Sequence, residues 1–424
     1  MKVGIAQISV PILDRAACVA KVVDAIRDAG RQRVKMLAFG EACIPGYPVW
    51  LDRAGGAEFD SPTQKAIHAV YLREAVCLED GHLDPVVRAA ADSGTHVVIG
   101  IIERPRAAQV ATGSAESATS PARDRGASGH TVYCSLVHVT PKDGGSILSV
   151  HRKLAPTYEE RLAWAHGDSE GLVTWPVGPF TVGGTLCFET WMPLPRAALQ
   201  AQGEDLHVAV WPGSIRNTED ITRFVAKEGR SFVVSASCVL TLGDIPERIA
   251  PSGPAEAEEP AAAAAADAGG LPVLEAGAAA PTVDASVPLR QLCIDGHRGL
   301  SPSQGGDDAA KVAAAKVAAR PGAVPRVPAG TAGSAPDVLD TVLHDGGSCI
   351  AGPDGAWIVS PEDTCDGKER LIVATLDLAA VRGERQNFDP AGHYSRPELL
   401  RLVVQRSRAA AAEFGTAAVT STKA

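Results

Sequence analysis

Apolar positions along this chain recur with two alternating periods. Alternating or continuous apolar runs at 2–10, 34–39, 95–102, 131–140 and 146–150 predict strands, while spacings of three and four at 15–28, 64–78 and 83–92 predict helices between them. Beyond residue 187 the same rhythm resumes, with a helix at 193–201, a strand at 206–211, a helix at 218–229, a strand at 232–240 and a late strand near 348–351. Such alternation predicts an α/β fold. Periodicity alone does not separate one doubly wound sheet from two stacked sheets.

Two stretches break the rhythm. Residues 105–129 are rich in Ala, Ser, Gly and Arg, and residues 247–335 are mostly Ala, Pro, Gly and Val, with six consecutive alanines from Ala261. Their composition buries too little apolar surface to offset the entropy of ordering. Both are expected to be insertions outside the folded core, the longer one disordered except for a helix at 308–319. The expected organisation is one domain over 1–405 with these two interruptions, then a flexible tail at 406–424.

Composition narrows the function classes. The chain has 424 residues, 45% hydrophobic, and a formal charge of −10 with no basic run, so nothing in it attracts nucleic acid or an anionic membrane. Nine scattered cysteines form no C-x-x-C pair, and eleven histidines show no H-x-x-x-H spacing. A disulfide framework, a zinc site and a metal hydrolase are therefore disfavoured. The start, Met1 to Ile8, lacks the apolar core of a signal peptide, and no run reaches 18 apolar residues. A cytoplasmic protein with a small-molecule partner, and no metal or cofactor, is the expectation.

The candidate chemistry lies where three predicted strands end. Glu41 follows the run Met36 to Phe39, Lys153 follows the run from Ser146, and Cys187 stands between the apolar Gly183 to Leu186 and a helix opened by Pro193. Strand ends of this kind gather ligands in α/β sheets. A thiol at a strand-to-helix turn is expected to have its pKa lowered by the helix amides below the free value of ~8.5, which makes Cys187 a nucleophile candidate. The competing reading is a small buried hydrophobe.

The blocks Gly40-Glu41-Ala42-Cys43-Ile44-Pro45-Gly46-Tyr47-Pro48, His151-Arg152-Lys153-Leu154-Ala155-Pro156-Thr157-Tyr158-Glu159-Glu160 and Cys187-Phe188-Glu189-Thr190-Trp191-Met192-Pro193-Leu194 occur in one order along the chain. Together they resemble the motifs of the nitrilase superfamily of carbon–nitrogen hydrolases, most closely its nitrile-hydrolysing branch. Further likeness runs through Gly346-Gly347-Ser348 and Gly392-His393-Tyr394-Ser395-Arg396-Pro397, so that residues 1–245 and 341–405 are covered. The resemblance implies a four-layer α-β-β-α sandwich, a homo-oligomer, and hydrolysis of a nitrile to a carboxylic acid and ammonia.

The resemblance also implies roles. Cys187 would form the covalent intermediate, and Glu41 would take its proton and later activate water. Lys153 and the backbone N–H of Phe188 would stabilise developing negative charge. Glu160 would be a second catalytic glutamate, although Thr157 and Glu160 also match a capping box at a helix start. Tyr47, Trp191 and Trp211 would shape the acyl pocket, or simply pack as core aromatics. The nitrile branch usually has tryptophan where this chain has Phe188, which bears on substrate range. An amidase, a cyanide-converting enzyme, an acyltransferase or a silent scaffold would fit the same blocks.

Overall fold

A computed structural model describes residues 1–106, 129–250, 286–299 and 338–406. Strands β1 (Lys2–Gln7), β2 (Met36–Phe39), β3 (His96–Glu103), β4 (Tyr133–Thr140) and β5 (Ser146–Arg152) lie side by side in that order. The pairs β1–β2 and β2–β3 are parallel, and β4 and β5 run back antiparallel. A late strand, Arg370–Thr375, closes the outer edge against β1. The second sheet repeats this plan. Strands β6 (Trp175–Val177), β7 (Phe180–Leu186), β8 (Leu206–Trp211) and β9 (Phe232–Ser237) continue into Cys349–Ala351 and Trp357–Val359, with β7–β8 and β8–β9 parallel.

Side-chain alternation along the strands sorts the chain into layers. Val3, Ile5, Met36, Ala38 and Val98 from the first sheet meet Leu206, Val208, Val210 and Val234 from the second in one buried core. Their neighbours Ala6, Leu37, Phe39, Val97 and Ile99 point the other way, onto α1 (Arg15–Arg31) and α4 (Asp84–Ser93). After α5 (Pro193–Gln200), α6 (Ile215–Gly229) is faced likewise by Ala209, Trp211 and Val233. The result is the expected α-β-β-α sandwich. Helix α1 starts where Asp14 accepts a hydrogen bond from Ala17 N at 2.9 Å, and it buries Cys18, Val22 and Ile26 at helical spacing.

Three expectations need correction. The strand expected over 232–240 breaks after Ser237 and resumes as β10 (Val239–Thr241), which pairs with β11 (Val342–Asp345) in a separate ribbon. The helix expected at 64–78 is the 13-residue α3 (Pro62–Glu74), which ends before Leu78, and a one-turn helix that was not expected, α2 (Trp50–Arg53), precedes it. Most consequentially, the 247–335 stretch is not wholly outside the core. Its residues 286–299 include α7 (Leu289–Gly299), with Val287, Leu289 and Cys293 buried in the inter-sheet core. The alanine-rich composition hid a local i, i+4 apolar pair. The helix expected at 308–319, residues 107–128 of the other insertion and residues 407–424 of the tail lie outside the described residues. Among the described residues no helix is long and apolar enough to cross a membrane.

Candidate active site

The ends of β2, β5, β7 and β8 converge where the two sheets are joined by a hydrogen bond. Glu41 N donates to Trp211 O at 3.0 Å, a hydrogen bond from one sheet to the other. The approach depends on Gly40: a Cβ there would lie 2.5 Å from Cys238 Sγ and 2.8 Å from Trp211 O. Any larger residue would push the sheets apart and move Glu41 with them.

Glu41, Lys153, Glu160 and Cys187 meet in this space, all nearly fully buried. Lys153 Nζ donates to Glu41 Oε1 at 2.8 Å and to Glu160 Oε2 at 2.7 Å, so one ammonium bridges two carboxylates. Cys187 Sγ and one oxygen of each glutamate lie within 4.8 Å of one another. Those three donors are spaced as metal ligands could be, but Lys153 stands between the carboxylates and already supplies the positive charge. Glu41 Oε2 is buried and accepts no hydrogen bond from the described residues. A buried carboxylate within 4.8 Å of a thiol is suited to taking its proton.

Each group is fixed from outside. Glu160 sits in a 3₁₀ turn, Tyr158–Leu162, and its Oε2 reaches back to accept from Thr157 N at 2.6 Å, the reciprocal half of the expected capping box. The Tyr47 hydroxyl donates to Glu160 Oε1 at 3.0 Å, and the Tyr47 ring meets Trp164 edge to face at 5.7 Å. Lys153 Nζ lies 5.3 Å from the Trp164 ring centroid. Cys187 has φ of 49°, the left-handed region, at the first residue of the 3₁₀ turn Cys187–Trp191. Holding a non-glycine residue there costs about 1–3 kcal/mol and directs the thiol away from the strand, into the cavity.

The electrostatics reverse one expectation. The Cys187 thiol is pushed well above its ordinary pKa, first by burial and then by the charges of Glu41 and Glu160; Lys153 and the Phe188 N–H pull only partly the other way. The turn is a short 3₁₀ segment in a dry site beside two acids, so desolvation outweighs its dipole. Burial likewise raises Glu41 to about 7, opposed by Lys153 and assisted by Glu160. Burial acts to lower Lys153, but Glu41, Cys187 and Glu160 together hold it above the usual lysine range.

A cavity of about 570 Å³ opens onto Cys187 and Glu160. Of the three aromatics expected there Tyr47 lines it, and so do Phe188, Leu51, Arg53, Ser214 and His344 among other residues. Trp191 and Trp211 do not. Trp191 is 46% exposed on the outer surface, and Trp211 is fully buried, packing under Cys187 with Ala209 and Ile221. Strand alternation explains Trp211, whose side chain faces α6 while its carbonyl faces Glu41.

Sequence reasoning missed Glu189. Only 1% exposed, it accepts from Leu186 N at 3.1 Å, from Leu154 N at 2.9 Å and from His151 Nε2 at 2.9 Å. Leu186 precedes the thiol and Leu154 follows the lysine, so one carboxylate ties both loops together. The signal was an acid two residues beyond Cys187 with a basic block elsewhere, which nothing in the sequence pairs. Cys134, whose Sγ lies 3.4 Å from Glu41 Oε1, and His344 were also missed, because both come from strand interiors far away in sequence.

Residues 2–283 match the sequence model of the carbon–nitrogen hydrolase family. The chain belongs to that family. Its relatives include a "Nitrilase 2" from an unknown prokaryotic organism, 28% identical over 95% of this chain and 92% of that one. An aliphatic nitrilase of Sinorhizobium fredii is 25% identical over 92% and 91%, and a bifunctional nitrilase/nitrile hydratase of Nicotiana tabacum is 23% identical over 96% and 86%. An amidase structure from a Nesterenkonia species aligns at TM-score 0.48 and 12% identity, covering 91% of this chain and 94% of that one. By that match the protein is a carbon–nitrogen hydrolase, and its Cys187 and Glu160 face the cavity with Glu41 and Lys153 buried beside them.

Proposed function

We propose that this hydrolase is a nitrilase, converting a nitrile and two waters to a carboxylic acid and ammonia through Cys187. The carrying observation is the buried Glu41 carboxylate within 4.8 Å of the Cys187 thiol, with the Lys153 ammonium bridging Glu41 and Glu160. Glu41 takes the thiol proton as Sγ attacks the nitrile carbon, and that proton passes to the nitrogen, giving a thioimidate. Water, activated by Glu41, adds to the thioimidate carbon; ammonia leaves and a thioester remains. A second water releases the acid and restores the thiol.

Lys153 and the Phe188 N–H stabilise the negative charge that develops on nitrogen and then on oxygen. Glu160, fixed by Tyr47 and Thr157, holds Lys153 in place and shares its charge. Tyr47 and Phe188 belong to the acyl pocket in this reading. A homo-oligomer within the cytoplasm is part of the same proposal, supported by the exposed Leu399, Leu400 and Val403. Product analysis over aliphatic, aryl and arylaliphatic nitriles and the matching amides tests the reaction. Acid and ammonia from nitriles support it; turnover of amides with none of any nitrile would replace it by an amidase.

A further inference from the structure

The long alanine-rich stretch returns to the fold at the cavity wall. Ile249 N donates to Val287 O at 3.0 Å and Val287 N to Ile249 O at 2.8 Å, an antiparallel clip, and Arg290 Nε donates to Ile245 O at 2.7 Å. Helix α7 follows, with Leu289, Cys293 and Gly296 on one face at helical spacing. Leu289 and Cys293 are fully buried. Gly296 lies directly on α2, where an added Cβ would come within 1.8 Å of Arg53 O.

Helix α2 is a single turn without a side-chain cap. A turn that short does not hold itself, so its position depends on what packs against it. Leu51, Asp52 and Arg53 of this region line the cavity, whereas none of Glu41, Lys153, Glu160 and Cys187 is hydrogen-bonded to α7. We propose that α7 is the specificity-determining element of the site: it sets the position of the α2 wall and so the size of the acyl group that reaches Cys187. Chemical competence and size selection are then carried by different parts of the chain.

The inference rests on Cys187 being the reacting group of the proposed reaction, so two readouts are needed. The first is kcat/KM for nitriles of increasing bulk. The second, independent of turnover, is the rate at which Cys187 is alkylated by iodoacetamide against a bulky aryl maleimide, read by peptide mass spectrometry in the full-length protein. Gly296→Ala, which must displace α7 or α2, should change the bulky-to-small ratio in both readouts by about tenfold or more. Replacing residues 251–285 by a short Gly/Ser linker, which keeps α7, should leave both ratios unchanged. If Gly296→Ala does not melt cooperatively, Cys293→Ala, which only thins the contact, takes its place with a smaller shift toward bulky reagents. A folded variant whose two ratios match the wild type overturns the inference. A shifted alkylation ratio with no nitrile turnover in any variant upholds α7 as the wall's support and overturns the nitrilase reading instead.

Discussion

Replacing Glu189 by Gln is the sharpest test of how the site is held. Burial alone would raise the Glu189 carboxyl, but His151 and the amides of Leu154 and Leu186 hold it below the usual glutamate range. All three partners donate: two backbone N–H groups and His151 Nε2, since an ionised carboxylate only accepts. A glutamine at this position has one accepting end. If its oxygen serves Leu186 N and His151, its NH₂ confronts Leu154 N; in the other orientation two contacts are lost. At least one hydrogen bond to a charged acceptor disappears, worth about 1.5–3 kcal/mol, and a buried donor is left unpaired. That donor is the amide next to Lys153, or the one next to Cys187. Misplacement of either group by about 1 Å costs on the order of 10² in rate. We therefore expect kcat/KM to fall by about 10², mostly in kcat, with slower alkylation of Cys187 by iodoacetamide and a far-ultraviolet spectrum unchanged. Because its folded pKa is depressed, Glu189 contributes stability above the ordinary glutamate range of ~4.3 that is lost as pH falls through the lower folded value, and the Gln variant should lack that acid-dependent loss. Kinetics and alkylation within twofold of wild type, in a protein that melts cooperatively, would refute the tether.

The remaining expectations concern the reacting groups and assembly. Cys187→Ala should abolish turnover while leaving the fold intact, and retained hydrolysis of every substrate would remove Cys187 from the chemistry. Glu41→Gln should lower kcat/KM by about 10² or more; because burial holds Glu41 at about 7 and a base must be ionised, wild-type kcat/KM should fall as pH drops through that value, and a profile flat from pH 5 to 8 would count against it. Lys153→Met leaves two buried carboxylates facing each other, and should cost about 3–5 kcal/mol in stability together with a 10²–10³-fold loss of rate, read by chemical denaturation and steady-state kinetics. Leu400, 83% exposed, should lie in a contact between copies; light scattering should show a multimer that Leu400→Glu makes smaller, and a fully active monomer would contradict this.

How much of this was legible in the sequence depends on the range of the interaction. Strand β8 appears with its expected limits, since a continuous apolar run between turn residues needs no distant partner to be recognised. The three strand ends carrying Glu41, Lys153 and Cys187 were legible for the same reason, and they do meet. The depth of the α2 wall was not, because Leu289 and Cys293 show an apolar pair only once α2 is known to lie beneath them. Trp211 shows the limit at a single residue: its place at a strand end was correct, but the face it takes follows from sheet pairing, and a one-residue offset reverses it. The near-identical plan of the two sheets left no repeat in the sequence either, since packing constrains polarity and volume rather than residue identity.

The thiol is where local reasoning and the folded site disagree most, and the disagreement carries mechanistic weight. A turn dipole acting alone would leave Cys187 partly ionised at rest. In the folded site burial and the two acids favour the protonated Cys187 thiol, the same acids favour the charged Lys153, and burial raises Glu41 to about 7. With both glutamates ionised the buried group carries one net negative charge. Passing the thiol proton to Glu41 moves that charge from oxygen to sulphur without adding to it, and Lys153 stays as the counterion throughout. A preformed thiolate beside two ionised glutamates would place a second negative charge in the same dry space, where unpaired charge is expensive. The nucleophile is therefore best generated only as it attacks, which ties its reactivity to the protonation state of Glu41 rather than to its own pKa.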